Sequence, residues 1–427
     1  VISDIQPAEA LLEARQELSD FPIEYVFGDH PPALLEHAHL LCLSGGVPAD
    51  LPLAKQAQDQ GIPLSNDSQL FLEVCPAPVI GITGSAGKTT VTTLVGRMIA
   101  AQFQGSERRV WVGGNIGRPL LASMDDINSD DLVVMELSSF QLELMTQSPQ
   151  VAAVLNVTPN HLDRHRTMEA YTAAKARILN FQTETDLAIL GFEDGGAWDL
   201  RTAVQGQLIG FGRKLPNDVD GAYLDQDTIW LRIEGNRTSI CPVSSIELRG
   251  EHNLLNVLAA CAVAGVVGIS SEKIAEGVSG FRGVEHRLEF VRQVGGADWY
   301  NDSIATSPER AIAAIQSFEE PLVLLAGGRD KDLPWESFAE LVRERVDHLV
   351  LFGEAGEKIA RAIDVARVRT RPQSIHQCAG LAEAVTTAAE IAEAGDVVLL
   401  APGGTSFDEF KDFAERGERF RQLVDEL

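Results

Sequence analysis

Residues 78–99, Pro-Val-Ile-Gly-Ile-Thr-Gly-Ser-Ala-Gly-Lys-Thr-Thr-Val-Thr-Thr-Leu-Val-Gly-Arg-Met-Ile, constrain this chain more than any other stretch. An apolar strand runs into a glycine-rich turn, a Lys-Thr pair and an amphipathic helix. In such a layout the backbone N–H groups of Gly84, Ser85, Ala86, Gly87 and the helix start cradle phosphate oxygens. Lys88 then reaches the β- and γ-phosphates, and the Thr89 hydroxyl holds Mg²⁺. The common loop reads G-x-x-x-x-G-K-[ST], but Ile82 stands five residues before Gly87. This loop is the shorter G-x-x-G-K-T form, continued by Thr90. With strand, glycines, Lys-Thr pair and helix in register, ATP or a related nucleotide is the expected ligand.

The 427 residues suffice for two to four domains at ~100–200 residues each. A net charge of −27 argues against non-specific nucleic-acid binding and against an anionic membrane surface. It leaves room for a local anion site. The five cysteines, Cys42, Cys75, Cys241, Cys261 and Cys378, are scattered and form no C-x-x-C pair. Reduced thiols in a cytoplasmic protein are expected. No apolar run has membrane-spanning length, and no signal peptide is evident.

The chain alternates helical and apolar strand patterns. Residues 8–18, 51–60 and 67–74 read as helices, with short apolar runs at 23–27 and 39–43. Val1-Ile2-Ser3-Asp4 reads as a strand end with an acid at its tip, which follows the first βα unit of a dinucleotide-type fold; such a unit is expected upstream. Pro76-Ala77-Pro78 marks a boundary. Strands are expected at 109–113, 131–136 and 151–157, and helices at 88–102, 167–181, 252–267 and 271–279. Residues 207–248 predict a small antiparallel patch. A third block has strands near 288–294, 321–326, 347–352 and 396–401, and a last helix over 406–425. The expected fold is α/β in three domains. Residues 1–74 form an N-terminally incomplete Rossmann-like domain. Residues 75–283 form the central phosphate-loop domain with a parallel sheet and the antiparallel patch. Residues 284–427 form a second Rossmann-like domain.

Polar clusters follow several of these strands. Glu136 ends one beside the phosphate loop, where a carboxylate can bind Mg²⁺ or simply be solvated. The next strand ends in Asn156-Val-Thr158-Pro-Asn160-His161-Leu-Asp163-Arg164-His165, at the sheet edge where open α/β folds bind ligands. His161 there is a metal ligand, an acid–base group or a structural histidine. Lys175 sits on an Ala- and Tyr-rich helix, either snorkelling or chemically special. Asn253 and Asn256 lie three apart on one helix face and suit an adenine edge or a pair of caps. In the third block, His286-Arg287, the run Asn301-Asp302-Ser303-Ile304-Ala305-Thr306, the run Gly328-Arg329-Asp330-Lys331 and the run Gly404-Thr405-Ser406 all lie near strand ends. Three of them are strand–helix junctions, which points to one shared ligand site.

The short G-x-x-G-K-T loop, Glu136-Leu-Ser-Ser-Phe-Gln, Asn156-x-Thr-x-x-His-x-Asp-Arg, His252-Asn-x-x-Asn and Asn301-Asp-Ser-x-Ala-Thr together resemble the Mur ligases of peptidoglycan synthesis, in order and over nearly the whole chain. Val112-Gly-Gly-Asn115-Ile-Gly and the C-terminal Ser406-Phe-Asp-Glu-Phe-Lys-Asp-Phe413 bring the resemblance nearest to the member that joins D-glutamate to UDP-N-acetylmuramoyl-L-alanine. The D-N-P-R signature of the diamino-acid-adding member is absent. The resemblance implies an ADP-forming ligase, a monomer, that uses ATP and two Mg²⁺ ions. It implies ATP contacts from residues 84–90, Asn253, Asn256, Arg287 and Asp302, with Lys88, His161 and Lys175 as catalytic groups. It implies metal binding by Thr89, Glu136, His161 and a carbamylated Lys175. Asp4, Gly46, Asn115, Ser138 and His161 are implied on the muramoyl-nucleotide side, and Thr306, Lys331, Ser406 and Phe413 around D-glutamate. The chain departs from the pattern at Ile304, where relatives carry Lys, and at Asn160, where they carry Asp. Another Mur or folylpolyglutamate-type ligase, or an ATP-binding homologue without ligase activity, remains the alternative.

Overall fold

The computed structural model describes all residues except 46, 117–118, 160–161, 249, 331–332 and 365–370. The chain divides into two compact units, Val1–Phe281 and Arg282–Leu427.

The first unit begins with two separate two-stranded parallel sheets. β1 (Ile2–Asp4) pairs with β2 (Tyr25–Phe27), and β3 (Leu41–Cys42) with β4 (Leu64–Ser65). A nine-stranded sheet follows. Its strands are β5 (Val79–Thr83), β6 (Val110–Gly114), β7 (Leu132–Glu136), β8 (Val151–Val154), β9 (Leu187–Gly191), β10 (Gln207–Phe211), β11 (Asp220–Asp225), β12 (Thr228–Ile233) and β13 (Asn236–Pro242). Their order is β13-β12-β11-β10-β9-β8-β5-β7-β6. Pairing is parallel from β6 through β11, and only β11–β12–β13 are antiparallel. The expected antiparallel patch is therefore not a separate layer. It extends the central sheet, and β9 and β10, parallel strands within residues 187–211, splice it on.

All five residues of β5 are buried, as expected for β-branched residues with helices on both faces. Side chains of Val79, Val133, Met135, Ala152, Val154 and Leu190 pack with Tyr171, Ile178 and Leu179 in one cluster. The last three come from the helix Met168–Asn180, which Thr167 caps by accepting the Ala170 N–H (3.2 Å). That helix buries positions 171, 174, 175, 178 and 179. This is one stripe of an amphipathic helix, and Lys175 lies in the middle of it.

The second unit holds a six-stranded sheet of order β14-β15-β19-β16-β17-β18. Its strands are β14 (Glu289–Val294), β15 (Ala297–Asn301), β16 (Leu322–Gly327), β17 (His348–Phe352), β18 (Ser374–Gln377) and β19 (Val397–Gly403). Only the β14–β15 hairpin is antiparallel. Leu322, Leu324 and Ala326 join a core on one face, and Val323 and Leu325 a core on the other, the period-two alternation of a sheet covered twice. The last helix is shorter than its sequence pattern predicts and runs Phe413–Asp425. Asp412 caps it by accepting the Glu415 N–H at 2.8 Å, while Glu415 reaches back to the Lys411 N–H at 2.7 Å. Residues 406–412 form a turn instead.

Candidate functional site

Gly87 ends the phosphate loop with φ +82°, and the helix Lys88–Phe103 starts at the next residue. A side chain is excluded there twice over. The φ is left-handed, and an added Cβ would lie 2.2 Å from Asn256 Oδ1. The loop is held from the next strand end, beyond β8. Asn156 accepts the Ser85 N–H through its carbonyl (3.0 Å) and the Ala86 N–H through Oδ1 (2.8 Å), and donates from Nδ2 to the Ala86 carbonyl (3.2 Å). Ser85 Oγ donates to the Thr158 carbonyl at 2.9 Å and lies 3.0 Å from Tyr171 Oη. Sequence reading noted Asn156 in a polar cluster but gave it no role, because its partner lies 70 residues away.

Two lysines converge on this loop. Lys88 Nζ donates to the Gly84 carbonyl at 3.0 Å, and Lys175 Nζ to the same carbonyl at 2.8 Å. Lys175 is 1% exposed, and its ammonium lies 4.7 Å from the Tyr171 ring centroid. Burial, aided by the nearby Lys88 charge, pushes its pKa down to about 7. The alternative of a snorkelling lysine is excluded by that burial.

Glu136 ends β7, and the β5–β7 register sets it opposite Ile82, two residues before the loop. It is 2% exposed. Asn115 Nδ2 donates to its Oε1 at 2.8 Å, while its Oε2 is buried with no hydrogen-bond partner among the described residues. A carboxylate oxygen left bare in the interior calls for a cation or a proton. Among the described residues no three His, Cys, Asp or Glu side chains gather as a metal site. Mg²⁺ fits this sparse set, since it commonly takes one or two carboxylates and completes its shell with phosphates and water.

Ser138 follows in a capping box with Gln141: Gln141 Oε1 accepts the Ser138 N–H at 2.9 Å and Ser138 Oγ accepts the Gln141 N–H at 3.2 Å. Asn115 and Ser138 share a cleft of about 590 Å³ with Cys42, Ser44, Asp67 and Phe140. A second cleft of about 350 Å³ adjoins the phosphate loop and is lined by Ala86, Gly87, Asn156, Phe211, His252 and Asn256 among others. Asn256 Nδ2 donates to Asn253 Oδ1 at 3.0 Å, so the two amides hold each other on one helix face as their spacing requires. Thr89 is buried and Thr90 half-buried behind the loop. Asp4 stands at the tip of β1 and accepts the Gln6 N–H at 2.8 Å; no described contact joins it to either cleft. Gly46 and His161 lie outside the described residues.

In the second unit the three strand-end junctions meet. Gly403 N–H donates to the Ala305 carbonyl (2.8 Å), and Arg329 and Thr405 exchange backbone bonds of 2.8 and 2.9 Å. Arg416, fully buried, pins them together. Its Nε donates to Ser303 Oγ (3.0 Å), Nη2 to the Ser303 carbonyl (2.9 Å), and Nη1 to the Gly404 and Thr405 carbonyls (3.2 and 3.0 Å). Burial lowers its pKa to about 10. Sequence reading missed Arg416, which looks like one charge among many on the last helix. Asp302 is buried, accepts the Leu288 N–H at 3.0 Å, and has its carboxyl pushed up to about 6 by burial. Ser406 is buried, Thr306 half-buried and Arg287 exposed. Phe413 accepts the Ser303 hydroxyl on its carbonyl (2.7 Å), and its ring meets His286 edge-on at 6.2 Å. Lys331 lies outside the described residues.

A strand–loop–helix phosphate site with a bare carboxylate and a depressed lysine defines a nucleotide-dependent enzyme of the α/β class. The Mur ligase middle domain family matches residues 82–264, and the Mur ligase glutamate ligase domain family matches residues 286–404. A UDP-N-acetylmuramoylalanine–D-glutamate ligase of Symbiobacterium thermophilum is 42% identical over 425 residues, covering 99% of this chain and 92% of that protein. One of the same name from Thermoanaerobacter sp. is 39% identical over 426 residues, with the same coverage. The chain belongs to the Mur ligase family. Solved relatives share the fold at lower identity. UDP-N-acetylmuramate-alanine ligase MurC of Thermotoga maritima has a TM-score of 0.52 at 20% identity, over 99% of this chain and 93% of that one. A UDP-N-acetylmuramoyl-L-alanyl-D-glutamate–2,6-diaminopimelate ligase has a TM-score of 0.56 at 18% identity, over 91% and 92%.

Proposed function

We propose that this chain adds D-glutamate to UDP-N-acetylmuramoyl-L-alanine in peptidoglycan synthesis, using ATP and releasing ADP and phosphate. The observation that carries the substrate choice is the 39–42% identity over 99% of the chain to relatives bearing that name. The loop and its two lysines support the ATP half. In this reading residues 1–74 take the uridine end with Asp4 and Gly46, residues 75–283 take ATP, and residues 284–427 take the amino acid. Asn253 and Asn256 attend the adenine, with Arg287 and Asp302 on the phosphate and ribose side. Thr306, Lys331, Ser406 and Phe413 hold D-glutamate. ATP and a UDP-sugar as substrates put the reaction in the cytoplasm.

The alanyl carboxylate attacks the γ-phosphate, giving an acyl phosphate and ADP. The D-glutamate amine then displaces phosphate at the acyl carbon through a tetrahedral intermediate. Both reactants of the first step are anionic, so Lys88 and the loop N–H groups carry the task of screening charge as it moves to the β–γ bridge oxygen. Mg²⁺ at two sites would neutralise phosphate charge and orient the nucleotide; Thr89, Glu136 and His161 are the residues to hold it. Lys175, neutral above about pH 7, is fit to attack CO₂. The N–C bond forms, the amine gives up one proton, and the resulting carbamate turns a cation into an anionic oxygen ligand.

ADP release from this chain with UDP-N-acetylmuramoyl-L-alanine, ATP and Mg²⁺ tests the reading, with D-glutamate, L-lysine and diaminopimelate offered in turn. Turnover with D-glutamate alone is expected. Turnover only with another amine, or with none, sinks the proposal.

A further inference from the structure

The corner between β7 and the helix Ser139–Leu142 carries Glu136 and Ser138, and it is gripped by a residue outside the proposed machinery. His165 ends the short helix Leu162–His165 and is buried. Its Nε2 lies 2.9 Å from Ser139 Oγ, and its Nδ1 lies 3.0 Å from Glu143 Oε1. Its ring stacks on Phe140 with centroids 5.3 Å apart and planes 7° off parallel. Phe140 is also met by Arg164, whose guanidinium carbon stands 4.3 Å from the ring centroid and whose Nη2 donates to the Val47 carbonyl at 2.9 Å. Tyr171 packs against the imidazole at 5.1 Å. One ring thus ties the corner to the helix that bears Lys175.

Serine, histidine and glutamate in this order look at first like a nucleophilic relay. Ser139 is 3% exposed, however, and the 590 Å³ cleft is lined by its neighbours Ser138 and Phe140 instead. A nucleophile must reach its substrate, so the string serves orientation. An ionised carboxylate only accepts hydrogen bonds, so Nδ1–H donates to Glu143, and in the neutral imidazole Nε2 accepts from the Ser139 hydroxyl. Both ends of the small helix are thereby tied to one rigid ring.

We infer that His165 is a positioning residue, which through Ser139, Phe140 and Glu143 sets the β7 corner so that Ser138 and Phe140 present the correct wall to the muramoyl nucleotide. The identity of that ligand rests on the proposed ligase reading.

Calorimetric titration of the full chain with UDP-N-acetylmuramoyl-L-alanine, and separately with ATP and Mg²⁺, tests the inference without turnover. His165→Leu removes both hydrogen bonds and is expected to weaken muramoyl-nucleotide binding by about tenfold. His165→Gln can accept from Ser139 and donate to Glu143, and is expected to recover binding to within about threefold. ATP affinity should fall clearly less in both, because Asn156 keeps its bonds to Ser85 and Ala86 and, among the described contacts, only that of Tyr171 links His165 to the phosphate loop. If His165→Leu does not fold, Glu143→Ala takes its place, since it removes the acceptor of the imidazole Nδ1–H, with the same selective loss expected. Unchanged binding, a loss equal for both ligands, or a glutamine variant no better than the leucine one overturns the inference. A wild type that binds the muramoyl nucleotide but forms no product with D-glutamate defeats the ligase reading and leaves the comparison of variants decisive; one that binds no muramoyl nucleotide defeats both.

Discussion

Lys175 occupies a core position of its helix, so its charge state couples to stability. The unfolded side chain titrates near 10.5 and the folded one at about 7. Below pH 7 both states hold the proton, and the folded chain bears the full penalty of a buried ammonium, on the order of a few kcal/mol. Between about 7 and 10.5 the unfolded state binds more protons, so stability rises with pH across that window. Lys175→Met should therefore raise the urea midpoint at pH 6.5 and flatten its climb toward pH 9.5, measured in bicarbonate-free buffer. A variant with the wild-type slope would show that the amine is not desolvated. The same substitution should abolish ligation. The sequence displays Lys175 among alanines and a tyrosine, which cannot separate a solvated tip from a buried one; only the packing of positions 171, 174, 178 and 179 against the sheet decides it.

At the scale of elements, the phosphate loop was readable because everything that forms it is local: a β-branched strand, glycines at 84 and 87, and a helix start. Its support was not, since Asn156 reaches it from another strand end. Asn156→Ala should leave Ser85 bonded to the backbone carbonyl of residue 156 but lose both side-chain bonds to Ala86. Ala86 is exposed, so water can replace them, and a stability loss below about 1 kcal/mol is expected. The loop would bind ATP less pre-organised, and the KM for ATP should rise about tenfold with kcat within about twofold. A fall in kcat alone would contradict this. The three junctions of the second unit show the same division. Each was visible as a strand end with small polar residues, whereas the guanidinium that pins them came from helix Phe413–Asp425. Arg416→Lys keeps the charge but has no planar fork to serve Ser303, Gly404 and Thr405 together. It should lower stability by about 2–4 kcal/mol in denaturant melts and raise the KM for D-glutamate more than that for ATP. Equal KM values for both substrates in wild type and variant would refute a positioning role. The start of that last helix does carry a local signal, an N-cap Asp412 with a Glu three residues on, although Glu415 closes on the Lys411 N–H and not on that of the cap. β18, Ser-Ile-His-Gln, was not legible, since an edge strand of polar residues carries no period.

For the whole molecule, alternation of strands and helices was enough to give a parallel α/β chain, because burying both faces of a sheet demands near-continuous apolar strands. The extent of the central sheet was harder, because the short helices Gly195–Trp198 and Asp199–Ala203 and the loop at 212–219 interrupt the strand pattern that joins β9, β10 and β11. Among the described residues each core cluster draws its side chains from one unit, and the residues that shape the phosphate loop all lie in Val1–Phe281. Cores that do not share side chains need not melt together, so unfolding should depart from a single two-state transition. Two overlapping heat-absorption peaks are expected in scanning calorimetry. A ligand stabilises the state that binds it by RT ln(1 + [L]/Kd), about 2.7 kcal/mol at one hundred times Kd. ATP with Mg²⁺ and no other substrate should therefore displace the peak of the first unit by several degrees and move the other less. Limited proteolysis assigns the peaks, since fragments cut near residue 282 report which unit stays protected. One sharp peak that ATP shifts as a whole would mean that the units unfold as one cooperative body.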